Sequence, residues 1–184
     1  MRVRDSVADV GSVTTEAWGR AELLAHADEV LEVYAEAMEV SRAAARSRRS
    51  VLAGHLERTG LRGVAGLDGS RLVGIAYGSL GQPGQWWHDH VAGAMGAPLA
   101  HTWLSSAFEV CELHVRPTHQ GTGLGRTLLE ALLTDTGAAT AVLTTPDRET
   151  RARRFYRIGG WQDLVLDLHF PGDPRTFAVL GKVL

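Results

Sequence analysis

The chain has 184 residues, 45% hydrophobic and 22% charged, which excludes a disordered chain and fits one domain, 1–184, around a single sizeable core. Nineteen basic residues against 21 acidic ones leave a formal charge of −2, so the basic face that a nucleic-acid partner needs is missing. Cys111 is the only cysteine, which rules out an internal disulfide or a thiolate metal cluster and points to a reducing, cytoplasmic setting. Residues 1–13 show no apolar core for a signal peptide, and no run reaches the roughly 18 apolar residues of a membrane span, so no membrane partner is expected.

In chain order, Leu23, Ala27, Val30, Leu31, Tyr34 and Met38 recur at helical spacing and predict one amphipathic helix over Ala21–Val40. A second helix is predicted through the arginine-rich stretch Ser41–Ser50 to about Arg58, its arginines forming a solvated face. Leu61–Leu80 holds two strand-like runs around Asp68-Gly69, a strong hairpin signal because the favoured turns need positive φ. Residues 81–106 break this rhythm. They carry three of the five tryptophans and several histidines, and they read as an insertion containing a short helix. Ser106–Val115 is the next strand, ended by Pro117.

The stretch Gln120-Gly121-Thr122-Gly123-Leu124-Gly125 follows, and then a helix presenting Leu124, Leu128, Leu129, Leu132 and Leu133, stopped by Gly137. Ala139–Thr145 reads as a buried strand. Thr145-Pro146 reads as a helix start, hydroxyl as N-cap and proline in the first turn, for a helix running to Gly159-Gly160. Two strands, Trp161–Phe170 and Phe177–Leu184, close a mixed α/β sheet with helices on its faces.

Three glycines within five residues, between strand and helix, form an anion-binding arrangement: the first helical N–H groups lack partners, and the macrodipole puts about half a positive charge there. A Rossmann fingerprint fails, because the third glycine slot is Arg126 or Leu128, and a Walker loop fails for want of Gly-Lys-Ser/Thr. The hexapeptide instead has the pattern Q/R-x-x-G-x-G/A. With Glu112–Pro117 just upstream, it resembles motif A of the Gcn5-related N-acetyltransferases, the GNAT family. A second stretch, Glu149–Trp161, resembles the family's later helix through Ala152, Phe155, Tyr156, Gly160 and Trp161. Glu149 stands where the family commonly has Asn, which puts an Asn contact to the pantetheine arm in question, and Trp161 replaces a Phe, a packing change.

The resemblance implies a mostly antiparallel central sheet whose two middle strands splay apart, with acetyl-coenzyme A as acyl donor. Its pyrophosphate would lie on Gln120, Gly121, Thr122, Gly123, Leu124, Gly125 and Arg126, and its pantetheine amides would pair with the main chain of Leu113, His114 and Val115. Tyr156 takes the position of the family's general acid toward the coenzyme thiolate; otherwise it is a core tyrosine beside Phe155. For the base, Glu112 is the first choice and Glu109 the second. Strict alternation puts them on opposite faces, but the family's bulge in this strand would alter that count. His114 is a third option.

Trp86, Trp87, His88 and His90 either wall an acceptor pocket or pack the insertion onto the sheet. His88-Asp89-His90 is weak evidence for a metal, and none is expected. The expected activity is acetyl transfer to the primary amine of a small molecule or a peptide. The alternatives are a non-catalytic acyl-coenzyme A sensor and a same-fold transferase with another donor. A homodimer through a sheet edge or the tryptophan segment stays open.

Overall fold

The computed structural model describes residues 13–184; the reading of the first twelve residues as lacking a signal peptide lies outside them. One seven-stranded sheet runs through the molecule: β1 (Thr14–Trp18), β2 (Arg62–Asp68), β3 (Arg71–Leu80), β4 (Ala107–Val115), β5 (Thr140–Pro146), β7 (Thr176–Val183) and β6 (Gln162–His169), in that spatial order. All neighbours are antiparallel except β4 and β5. That parallel pair touches only at Ala107–Glu109 against Thr140–Val142, and beyond it the two strands part. The expected splay of the central strands is therefore present.

Two layers of helices cover the sheet. On one face lie α1 (Arg20–Ala25), α2 (Ala27–Ala37), α3 (Arg42–Ser47) and α4 (Arg49–Leu56), whose Leu23, Val30, Leu31, Val33, Leu52 and Leu56 bury against Ala65, Leu72, Ile75 and Tyr77. On the opposite face, α7 (Leu124–Leu133) lays Leu124, Leu128, Leu129 and Leu132 on Val64, Val73, Ala76, Val110 and Val115. Tyr156 of α8 (Arg151–Ile158) joins that core beside Trp161. Burial of these leucines contributes about 1.5–3 kcal/mol each, so the two cores are what press the helices onto β4.

Three local expectations need correction, and one strand has no reading in the sequence. The predicted helix over Ala21–Val40 is two helices broken at His26, whose ring stacks on Trp18 at 4.7 Å and bonds Glu29 through Nδ1 at 2.7 Å. The arginine-rich helix is likewise two, broken at Arg48, and its arginines are not all solvated, since Arg48 turns inward. Thr145 and Pro146 do not start a helix. They continue β5 against β7, where a terminal proline costs no ladder bond, and the cap is Thr150, whose hydroxyl accepts from Arg153 N at 3.1 Å. The short edge strand β1 has one buried residue in five, too little pattern to reveal it.

The insertion at 81–106 forms two helices, α5 (Trp86–Met95) and α6 (Ala97–Leu104), turned at Gly96. They cover β5, β7 and β6 through Trp87, Val91, Trp103 and Leu104 on Val142, Val179 and Leu168, the sheet face shared with α1–α4. No helix among the described residues is long and apolar enough to cross a membrane.

Candidate active site

The glycine turn leaves β4 through a 3-10 turn at Pro117–His119 and enters α7 at Gly123, the N-cap residue, at φ +94°. That left-handed conformation favours glycine, and a Cβ built there meets nothing within 4 Å, so the space before the α7 terminus is open. Gly121 is also left-handed, at φ +83°, and Thr122 ties the loop down by donating to His119 O at 2.8 Å. Gln120 fixes the turn from both sides: its amide donates to Val115 O at 2.9 Å and accepts from Arg151 at 2.7 Å. Arg126 lies exposed in the first turn of α7. Open helical amides and a positive helix end, with the arginines Arg126 and Arg151 nearby, give this cradle the sign that an anion such as a pyrophosphate needs.

Beside the cradle, Leu113, His114 and Val115 pair with Ala76, Ile75 and Gly74 of β3 on one edge of β4. Their other edge faces the gap left by β5, so it can take the amides of an extended ligand as an added strand. Cradle and open edge fit the two halves of coenzyme A.

The carboxylates were ambiguous in the sequence, and a bulge resolves them. Tyr77 lies opposite Glu112, but Gly78 lies opposite Val110, so Cys111 is the extra residue. Glu109 faces Ser79 and Glu112 faces Tyr77, residues two apart, and both carboxylates therefore share the face under α1–α4. Their surroundings differ. Glu109 is sealed, 4% exposed, against Arg58 at 2.8 Å; burial raises its carboxyl and Arg58 only partly offsets this. Glu112 borders a cleft, with His114 Nε2 at 2.5 Å and Arg48 at 2.6 Å. Burial alone would raise it, yet the His114 bond and the His114 and Arg48 charges together bring it down to about 2.

Tyr156 lies on α8, in the core under α7. Its ring packs edge-on against Phe155 at 5.1 Å and Trp161 at 5.5 Å. Burial, and secondly the Glu112 charge, push its phenol well above the ordinary value, so it stays protonated at neutral pH. The ring is packed as the core-tyrosine reading has it, and the phenol keeps its proton, which a proton donor would need.

The insertion residues lie apart from the cleft below β4. Trp86 is exposed and stacks on His90 at 5.7 Å and Phe170 at 5.3 Å, while His90 Nε2 bonds His169 O at 2.8 Å. Trp87 is buried and its Nε1 donates to Thr144 at 3.4 Å; His88 is buried against Asp89 at 3.1 Å. None of the four is among the residues lining that cleft, and the geometry favours the packing alternative for them. Among the described residues no group of three or more His, Cys, Asp or Glu could hold a metal ion. The cleft walls instead come from residues that sequence reading left unassigned: Tyr34, Arg48 and Tyr77, with Val30, Leu31 and Val51. Arg48 lay within a run of arginines, and no local signal distinguished it from its neighbours.

A splayed α/β sheet with an anion cradle at the break defines a coenzyme-dependent transferase of the GNAT type. A family model, "Acetyltransferase (GNAT) family", matches residues 27–160, and the chain belongs to that family. A curated relative, the "GCN5-like protein acetyltransferase Rv2170" of Mycobacterium tuberculosis, is 35% identical over 186 aligned residues, covering 85% of this chain and 90% of the relative. Among solved structures, a GNAT-family protein from Desulfovibrio desulfuricans superposes with a TM-score of 0.68 at 17% identity, covering 94% of this chain and 99% of that one. The Salmonella typhimurium protein yncA, solved with its cofactor acetyl-CoA, has a TM-score of 0.63 at 16% identity, covering 94% of each chain. At these identities the two structures speak for the fold.

Proposed function

We propose that the protein is an acetyl-CoA-dependent N-acetyltransferase acting on the primary amine of a small molecule or a peptide. The observation that carries the reading is the break between β4 and β5, where the open edge of β4 runs up to the glycine turn at the α7 N-terminus, with Glu112 on the same strand and Tyr156 near enough to feel its charge. The printed names of the M. tuberculosis relative and of the acetyl-CoA-bound neighbour agree with it.

Bound there, acetyl-CoA supplies the thioester. The main-chain amides at Gly121, Gly123 and Gly125, with Arg126 and Arg151, hold the pyrophosphate, and the edge at Leu113–Val115 aligns the arm. As the amine nitrogen bonds to the carbonyl carbon and the C–S bond breaks, Tyr156 passes its proton to the sulfur. The nitrogen's proton goes to the Glu112–His114 pair. Glu112 alone, held at about 2, is a weak base, and its 2.5 Å bond to His114 makes the pair, not the carboxylate by itself, the proton acceptor. A positioned acid or base of this kind contributes about 10² to 10⁴ in rate.

Calorimetric titration with acetyl-CoA, with NAD as control, tests the cradle, and thiol release on adding an amine tests the chemistry. Tyr156→Phe should lower kcat by about 10² or more while the acetyl-CoA Kd changes little. An unchanged kcat across the pH range removes Tyr156 from the chemistry. Binding without thiol release on any amine would instead make the chain a sensor.

A further inference from the structure

The cleft under β4 already holds a cation, and it belongs to the protein. Arg48 sits at the break between α3 and α4 and sends its side chain inward, where the guanidinium pairs with Glu112 at 2.6 Å. The same guanidinium lies over the face of Tyr34, 4.8 Å from the ring centre, in cation–π geometry. His114 meets that ring edge-on at 5.1 Å and holds the other oxygen of Glu112. Val30, Leu31, Val51 and Leu52 line the rest, an apolar sleeve for a methylene stem.

A carboxylate at the bottom, an aromatic face above it and aliphatic walls around it are the complement of an alkyl chain ending in a positive charge. Arg48 itself has that chemistry. Its side chain is 37% exposed against 14% for Glu112, so it reaches in from the solvent side, and it can leave by rotating its own torsions.

We infer that this cleft is the acceptor's cation subsite and that Arg48 is its resident occupant, displaced by an acceptor that presents a flexible aliphatic ammonium. The inference rests on the transferase reading above for the word acceptor; what it adds is the occupancy of the cleft by the protein's own arginine. An arginine that instead recognised an acceptor carboxylate would need its guanidinium free, and here Glu112 and Tyr34 engage it.

The test uses ethylguanidinium as probe, on the full chain without acetyl-CoA. Calorimetry should show it binding Arg48→Ala at least about tenfold more tightly than the wild type, a difference of about 1.4 kcal/mol, and the gain should vanish in Arg48→Ala with Glu112→Gln. Equal binding to wild type and Arg48→Ala, or a gain that survives Glu112→Gln, overturns the inference. Arg48→Ser, which empties the sleeve likewise, serves the same comparison if Arg48→Ala does not fold. With 1,5-diaminopentane as acceptor, KM should fall about tenfold in Arg48→Ala. A rise in KM would make Arg48 a substrate-binding cation and refute its role as occupant. The two readings fail separately: tighter probe binding with no thiol release from any amine sinks the transferase, and thiol release with unchanged probe binding sinks the subsite.

Discussion

The two sides of β4 are built in opposite ways. On the α7 side, the proposed cofactor grip uses main-chain amides delivered by six consecutive residues, Gln120–Gly125, and the side chains there mainly tie down the loop. On the α1–α4 side, the cleft is built from side chains gathered from far along the chain, Arg48 meeting Glu112 across 64 residues and, beneath it, Arg58 meeting Glu109 across 51. A main-chain site tolerates almost any side chain that permits its backbone angles. A side-chain site depends on which residues the fold brings together.

The sharpest way to break the first half of that contrast is to spoil the backbone without touching a distant contact. Gly123→Val places a β-branched residue at φ +94° and projects it into the open cradle. Acetyl-CoA binding by calorimetry should weaken at least about 100-fold, roughly 2.7 kcal/mol, with the acceptor cleft unaltered. Retained affinity would mean that the amides of this turn do not hold the pyrophosphate.

For the other half, the bulge is the place to press. A Cβ at Gly78 would come within 2.2 Å of Glu109 O and 2.6 Å of Phe108. Gly78→Ala should cost roughly 2–3 kcal/mol in urea unfolding, as overpacking does, and disturb both carboxylates while sparing the glycine turn. A variant as stable as the wild type would show that the bulge does not need this close approach.

The pH response distinguishes the sides more gently. Burial, and secondly the Arg58 charge, lower His55 from 6.5 to about 4, so the folded protein prefers the neutral ring, near Tyr77 at 3.3 Å. Its contribution is complete above about pH 6.5 and is lost as pH falls toward 4. Glu109, raised by burial, works in the opposite sense, so the comparison must be with the wild type. His55→Gln should reduce the loss of stability between about pH 7 and pH 5 by at most about 2 kcal/mol. An unchanged pH slope in chemical denaturation would show that His55 is not held neutral.

Much of the sheet was legible because its signals are local. The hairpin at Asp68-Gly69, the leucine face of α7 and the strand Thr140–Pro146 each follow from periodicity and turn residues within a short window. The breaks at His26 and Arg48 were not legible, because each helix interruption is set by contacts outside it: Trp18 under one ring, Glu112 and Tyr34 around the other side chain. Thr145-Pro146 misled for a related reason. The dipeptide suits a helix start, yet pairing with β7 outweighs that preference and Thr150 supplies the cap.

By itself, then, the sequence determined a mixed sheet with a phosphate-type turn after the strand Ser106–Val115, since glycine placement and hydrophobic spacing act within a few residues. Only the tertiary structure decided that Glu109 and Glu112 share a face, that one is sealed and the other borders a cleft, and that Arg48 occupies it. A one-residue bulge reverses the side that every later residue faces, and no periodicity count can detect it. The long polar side chains then pair with whatever charges the packed helices bring near, and that choice exists only once the chain has folded.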